Sequence, residues 1–374
     1  MSPAFLDQVT KFAQTVIGPA AANWSMGAAP DDGFYERAGQ IGILGMQVPQ
    51  ALGGQGLDFA TRAAACSILA GADFGFAMSL VNTHNIALRL SEIAPGALCQ
   101  RYIPDLLAGK ISACTALTEP ATGSDFAAVT TQAAQTETGW VLNGEKTWII
   151  NGRHAGLSIV YAQCGQVGDS KGIGAFLVDL TAPGVSRYAI DSSFAQTSMG
   201  TGGFILQDVE VAQEAMLIAP GTAFKAILTE INAARTYVAS MCNGMVARAV
   251  HDTATYGARR QSFGKPLNAI PSWQECLSAA KAALAGSETL TAHAAVLVNT
   301  GQDAQLAAAQ AKIEAVTTAQ THLPVLLQLM GAEGLRPGHV FSRHIGAAQV
   351  AGFTDGATNI LKDRVVRLTA QKGP

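Results

Sequence analysis

The chain has 374 residues, of which 49% are hydrophobic and 14% charged, with a formal net charge of −3. That length serves one large domain or two to three smaller ones, each with its own core. The charge balance gives no general reason to expect nucleic acid or an acidic membrane surface as a partner, and so little charge points to surface buried between subunits.

No run approaches the roughly 18 consecutive apolar residues of a spanning helix, and Met1 to Gln8 lacks the pattern of a signal peptide. The expectation is a cytoplasmic protein. Six cysteines, at 66, 99, 114, 164, 242 and 276, form no CxxC pair and read as reduced thiols. His339 and His344 have no carboxylate or cysteine at zinc-ligand spacing, so no metal site is expected. Neither GxGxxG nor a P-loop occurs.

In chain order, residues 1–110 carry a helical pattern broken by Gly53-Gly-Gln-Gly56. Residues 111–215 change character. Short apolar runs at 157–161, 175–178 and 204–206 are separated by Gly, Pro, Asp and Asn, which predicts a small antiparallel β domain. From 216 to 374 the helical period returns. Phe224, Ile227, Leu228, Ile231, Val238, Met241, Met245, Val246 and Ala249 mark a buried helix face. Alanine-rich segments continue to Leu329, with Pro324 starting or kinking a helix, and imply closely packed helices. A short frayed tail is expected from Thr369. The fold class is α+β, mostly α: helical domain, β domain, helical bundle.

Two segments of the β region carry chemistry. Leu117-Thr-Glu-Pro-Ala-Thr-Gly-Ser-Asp125 reads as a turn with free hydroxyls and amides. Lys146-Thr-Trp-Ile-Ile-Asn-Gly152 places an indole at a strand end, and Asn143-Gly144 before it reads as a two-residue hairpin. Either alone fits a surface turn beside a half-buried tryptophan. Together they suggest a polar cradle and an aromatic plate for one planar ligand.

With these segments in this domain order, the chain resembles the acyl-CoA dehydrogenase family of flavoproteins over nearly its whole length. Ile41-Gly-Ile-Leu-Gly-Met-Gln-Val-Pro49 with Gly53 to Gly56 is similar to the family's entry pattern. Arg260-Gln-Ser-Phe-Gly-Lys-Pro266, Gln328-Leu-Met-Gly-Ala-Glu-Gly334 and Asp355-Gly-Ala-Thr-Asn-Ile360 resemble three further motifs. The resemblance implies FAD as cofactor and α,β-dehydrogenation of an acyl thioester, on CoA or on an acyl-carrier protein. It implies an electron acceptor such as an electron-transfer flavoprotein, and a homo-oligomer, dimer or tetramer, with a heteromer as the other arrangement.

By the same resemblance, Leu117, Thr118, Trp148, Ile150 and Gly356 line the flavin, and Ser124 helps hold both flavin and pantetheine. Arg260, Phe263, Gln328 and Gly331 contact the ADP half of an FAD held by a neighbouring subunit. His84, Asn85 and Arg235 lie on the substrate side, although His84 alone also fits a packed helix histidine. Asp355 falls in register with the family's catalytic glutamate. It is one methylene shorter, a loss of roughly 1.5 Å of reach, and a misplacement of about 1 Å can cost on the order of a hundredfold in rate. By itself it also fits a solvated or capping aspartate.

Other positions depart too. Ala234 holds no substitute base, Ile150 lacks the hydroxyl the family often presents to the flavin, and Ala357 replaces another hydroxyl. Pro271, Ala332 and Gly346-Ala347 replace a glutamine, a glycine and an Arg-Asp pair. Three readings stay open: a dehydrogenase with Asp355 as base, a non-catalytic or half-catalytic partner subunit of a heteromeric enzyme, and a different flavin reaction on the same fold.

Overall fold

The computed structural model describes residues 1–191, 194 and 196–371. Helix α1 (Pro3–Phe12) runs through a π-helical segment at Ala13–Ile17 into α2 (Gly18–Ser25), and α3 (Asp32–Ile41) stops at left-handed Gly42. Helices α4 (Phe59–Ala72) and α5 (Phe74–Ile93) each start on an aspartate. Asp58 accepts from the Thr61 amide and Asp73 from the Phe76 amide, both at 2.8 Å, satisfying donors that a helix start leaves open. Helix α6 (Gly96–Leu107) leads to the sheet.

The strands are β1 (Ala113–Ala116), β2 (Gln132–Gln135), β3 (Gly139–Ile149), β4 (Leu157–Gln163), β5 (Ile173–Asp179), β6 (Val185–Ala189), β7 (Gly202–Ala212) and β8 (Met216–Ile218). They order as β6-β7-β3-β2-β4-β5-β8, with β1 beside β4. The last strand passes residue 215, where the sequence reading ended the β region. Most pairs are antiparallel as expected, but β1 runs parallel to β4, with Ala113 opposite Leu157. A parallel pair needs a long connection, and the 117–156 segment supplies it. That connection carries both motifs of the candidate site.

The hairpin expected at Asn143-Gly144 is not there. Both residues lie inside β3, where the register with β7 shifts between Leu142 and Gly144. Asn143 spends its side chain on Asp208, donating to Oδ1 at 3.0 Å and accepting from the Asp208 amide at 2.9 Å. Gly144, at φ 151°, is pressed against Thr131, whose Cα would lie 2.7 Å from an added Cβ. The dipeptide therefore serves a β-bulge, which also needs unusual backbone angles. Strand β3 thus continues to Ile149, with a second register shift against β7 between Lys146 and Ile149.

Helix α7 (Ala223–Arg259) is followed by the small hairpin β9 (Gln261–Ser262) and β10 (Lys265–Pro266). Then come α8 (Pro271–Asn299), α9 (Gln305–Met330, with Pro324 inside it), α10 (Phe341–Ala351) and α11 (Thr358–Gln371). The expected frayed tail is helical through Gln371, and residues 372–374 lie outside the described ones. Helices α4 and α7 approach to backbone contact at Gly244, where a methyl group would sit 2.0 Å from the Ser67 carbonyl oxygen. That contact brings Arg62 of α4 and Arg235 and Tyr237 of α7 to one cavity wall. One core packs the helices around residues such as Leu69, Phe76, Met241 and Leu323, and another fills the sheet around Trp140, Phe176 and Phe204.

Candidate active site

A cavity of about 1380 Å³ opens where α4, α5, α7 and the 353–367 segment meet the sheet. Pockets for one small ligand typically run roughly 300–1,000 Å³, so this one has room for a cofactor ring and a substrate together. Leu117, Thr118, Ser124, Trp148, Ile150, Asn85, Arg235, Asp355 and Gly356 all line it. Residues from five separated stretches of sequence therefore share one space.

The cradle and the plate are locked together by a buried ion pair. Lys146 Nζ sits 2.7 Å from Glu119 Oε1, with the side chains 0% and 2% exposed, and also donates to the Leu117 carbonyl at 3.2 Å. Glu119 further accepts from the amides and hydroxyls of Thr130 and Thr131 at 2.5–2.9 Å. Burial alone would raise its carboxyl, but Lys146 and the threonines outweigh burial and hold it down at about 2. Two residues further along β3, Trp148 turns into the left-handed region at φ 56° and stays 65% exposed beside the cavity. The Thr118 and Ser124 hydroxyls have no hydrogen-bond partner among the described residues, so both are available to a ligand.

Asp355 occupies a left-handed turn at φ 54° between α10 and α11. Its Oδ2 is cut off from solvent and makes no hydrogen bond among the described residues. Burial raises its carboxyl above the ordinary range, opposed by the charges of Lys312, Arg235 and Arg62 in that order. The turn is held through its backbone. Lys312 Nζ donates to the carbonyls of Thr354 and Gly356, and Arg235 Nε donates to the Asp355 carbonyl at 3.2 Å. A desolvated carboxylate fixed by its main chain and free at its oxygen can take a proton from a bound ligand.

Other expected residues stand elsewhere. His84 is fully buried in α5, its Nδ1 3.3 Å from the Leu44 carbonyl oxygen, and it does not line the cavity. Arg260, Phe263, Gln328 and Gly331 are exposed and lie outside the cavity of this chain. Phe263 is 94% exposed at φ 51°.

Sequence reasoning missed three groups: the Glu119–Lys146 pair, Lys312 and Arg62. Lys312 shares a helix face with Ala308, Ala315 and Ala319, each at 0% exposure. A cation at the register of a buried alanine stripe is a readable signal. Arg62 sits similarly in line with Cys66 and Leu69.

Comparison with known proteins agrees with this architecture. Three family models match in order: "Acyl-CoA dehydrogenase, N-terminal domain" over residues 2–110, "middle domain" over 114–209 and "C-terminal domain" over 221–369. The human mitochondrial short-chain specific acyl-CoA dehydrogenase is 29% identical over 351 residues, covering 93% of this chain and 85% of its own length. Butyryl-CoA dehydrogenase from Megasphaera elsdenii superposes with a TM-score of 0.93 at 25% identity, covering 99% of both chains. A structure of PigA with FAD and proline shares the fold, with a TM-score of 0.93 at 22% identity, over 100% of this chain and 99% of that one. With the domain order, the motifs and the shared cavity all in agreement, this chain belongs to the acyl-CoA dehydrogenase family.

Proposed function

We propose that the chain is an FAD-dependent acyl-thioester α,β-dehydrogenase in which Asp355 is the base. The observation that carries this reading is Asp355 Oδ2, buried without a hydrogen-bond partner among the described residues in the same cavity as Trp148 and the 117–125 cradle. The cavity fits FAD in kind: unpartnered Thr118 and Ser124 hydroxyls and an indole face suit a flat heteroaromatic ring with a polar edge. A PigA structure on this fold holds FAD.

In this reading Thr118 bonds the edge of the ring, Trp148 packs against it, and Ser124 holds the pantetheine arm. FAD, once bound, supplies the acceptor for the hydride that leaves the β-carbon. Asp355 takes the α-proton, and its raised proton affinity makes it a stronger base than an exposed aspartate. Lys312, Arg235 and Arg62 keep the carboxylate ionised enough to act, while aliphatic Ile149, Ile150 and Leu361 along the cavity keep water away.

Arg260, Phe263, Gln328 and Gly331 are assigned to the FAD of a neighbouring subunit, which makes the active protein an oligomer. Support comes from Phe263, an apolar ring left almost wholly exposed by the single chain. An electron-transfer flavoprotein or a similar carrier would reoxidise the enzyme, and CoA or an acyl-carrier protein would present the thioester. The partner-subunit reading draws on Ile150 and Ala357, which put aliphatic groups on the cavity wall.

The test is the visible spectrum of the purified protein, followed without oxygen as acyl-CoAs are added. Wild-type protein should be yellow and bleach. Asp355→Asn should stay yellow and bleach at least about a hundredfold more slowly, the low end of general-base contributions. Unchanged bleaching would remove Asp355 as the base, and a colourless protein that cannot be reconstituted would favour the partner subunit.

A further inference from the structure

Arg62 helps hold the Asp355 carboxylate ionised, yet it has no ion-pair partner of its own among the described residues. It projects from α4, is 3% exposed and lines the cavity. Its Nη atoms donate to two neutral acceptors, Gln47 Oε1 at 3.0 Å and Asn85 Oδ1, and its guanidinium lies 4.8 Å from the centre of the Tyr237 ring. Its Nε is buried and has no hydrogen-bond partner among the described residues. Among the described residues no carboxylate forms an ion pair with it. The nearby acids do not pair with it: Asp58 caps α4, Glu92 and Glu230 are taken by Arg89 at 3.3 and 2.7 Å, and Asp355 acts on it through its charge without forming an ion pair. Burial pulls the proton affinity of Arg62 down, yet guanidinium does not deprotonate in proteins. A desolvated cation whose direct hydrogen bonds all go to neutral groups is costly unless an anion completes it.

Arg62 and Asp355 face one space, and the Arg62 charge acts on the Asp355 carboxylate. A thioester whose α-carbon lies at Asp355 therefore extends its acyl chain through a region that holds a ready anion partner. Tyr237, bonded by Asn85 Nδ2 at 3.3 Å and stacked on the guanidinium, fixes that partner's orientation. We propose that Arg62 is a subsite for a carboxylate on the far end of the acyl group, so that the preferred substrates are monothioesters of dicarboxylic acids. The proposal rests on the dehydrogenase reading and narrows it. A planar fork matches a carboxylate in two-point contact better than any neutral chain end.

The experiment compares carboxyl-ended with methyl-ended acyl-CoAs of equal length on the FAD-loaded protein: succinyl against butyryl, glutaryl against pentanoyl, adipyl against hexanoyl. At the best length the carboxyl-ended thioester should lead in kcat/KM by about tenfold or more. Arg62→Met should cut that ratio by about thirtyfold or more, the scale of losing one partner of a buried charge pair. Arg62→Lys should keep part of it, whereas a purely structural arginine would give Lys and Met variants the same ratio. A wild-type preference for methyl-ended chains, a ratio unmoved in Arg62→Met, or equal use of an ω-hydroxyacyl-CoA would overturn the proposal. Calorimetric binding of glutaryl- and pentanoyl-CoA separates the two layers. An Arg62-dependent preference in binding without flavin bleaching would keep the subsite and reject the dehydrogenase. Should Arg62→Met not fold, the wild-type ratio and the lysine variant decide.

Discussion

Lys146 Nζ stands 2.7 Å from Glu119 Oε1 in a site that solvent does not reach, and this pair joins the cradle loop to the strand that carries Trp148. The pair is worth most as geometry. Replacing a buried ion pair with apolar groups is often neutral, while removing one partner strands a charge. Lys146→Met should therefore destabilise the protein by about 3–5 kcal/mol. The double variant Glu119→Gln, Lys146→Met should recover part of that in denaturant unfolding while FAD content stays low, because the loop has lost its tether. A double variant no more stable than Lys146→Met alone would contradict the stranded-charge account.

The same pair sets an acid limb. The Glu119 carboxyl is held at about 2, below its ordinary value of 4.5. A depressed carboxylate contributes stability that is fully present above the unfolded value and is lost as pH falls through the folded one. Unfolding measured between pH 5 and about 2 should show a steep loss in wild type and a flatter one in Glu119→Gln.

Asp355 has the opposite sign. Burial raises its carboxyl, so its stabilising protonated form is lost as pH rises through the folded value, and the ionised residue is a burden at neutral pH. Asp355→Asn should melt higher than wild type at pH 7 while losing bleaching activity, and the gap should close on acidification. A lower melting point at neutral pH would mean that Lys312 and Arg235 depend on the negative charge more than burial penalises it.

Gly144 tests the bulge. A β-carbon there would approach Thr131 Cα to 2.7 Å at a φ that side chains avoid. Gly144→Ala should cost about 1–3 kcal/mol, the usual range for overpacking. The cost should fall on the β region, seen as faster amide exchange in β2 and β3. In a surface hairpin the positive φ would still strain alanine, but without the Thr131 contact the cost would stay at the low end of that range.

These residues also show where sequence patterns stop. Leu117 to Asp125 and Trp148 were legible because a cradle and an exposed indole at a strand end are local features, carried by turn residues and hydroxyls. The helical stretches were legible from apolar period. Asn143-Gly144 misled because a bulge and a hairpin ask for similar backbone angles, and only pairing with Asp208 and packing on Thr131 distinguish them. Glu119 and Lys146 were read within separate motifs. Nothing local says that they meet 27 positions apart. Arg62 and Lys312 were hidden for the same reason, since each acquires its meaning from partners at least 15 residues away or from the cavity it faces.

Lys312 gives the last prediction. It is fully buried in α9, and its ammonium donates to the carbonyls of Thr354 and Gly356, the two residues that flank Asp355. It touches no reacting atom in the reading above, so its part is to position the base. Lys312→Met removes both donors and leaves two carbonyls to relax the turn, and a shift of about 1 Å in a reacting group is worth on the order of a hundredfold in rate. The rate of flavin bleaching by a saturating thioester should drop by about that factor, with KM and FAD content nearly unchanged. Lys312→Arg, too long for the same two carbonyls, should rescue little. A merely structural lysine predicts lost flavin and a raised KM together with the rate. Bleaching within about threefold of wild type, far short of the misplacement penalty, would show that the Arg235 bond to the Asp355 carbonyl is enough to hold the turn.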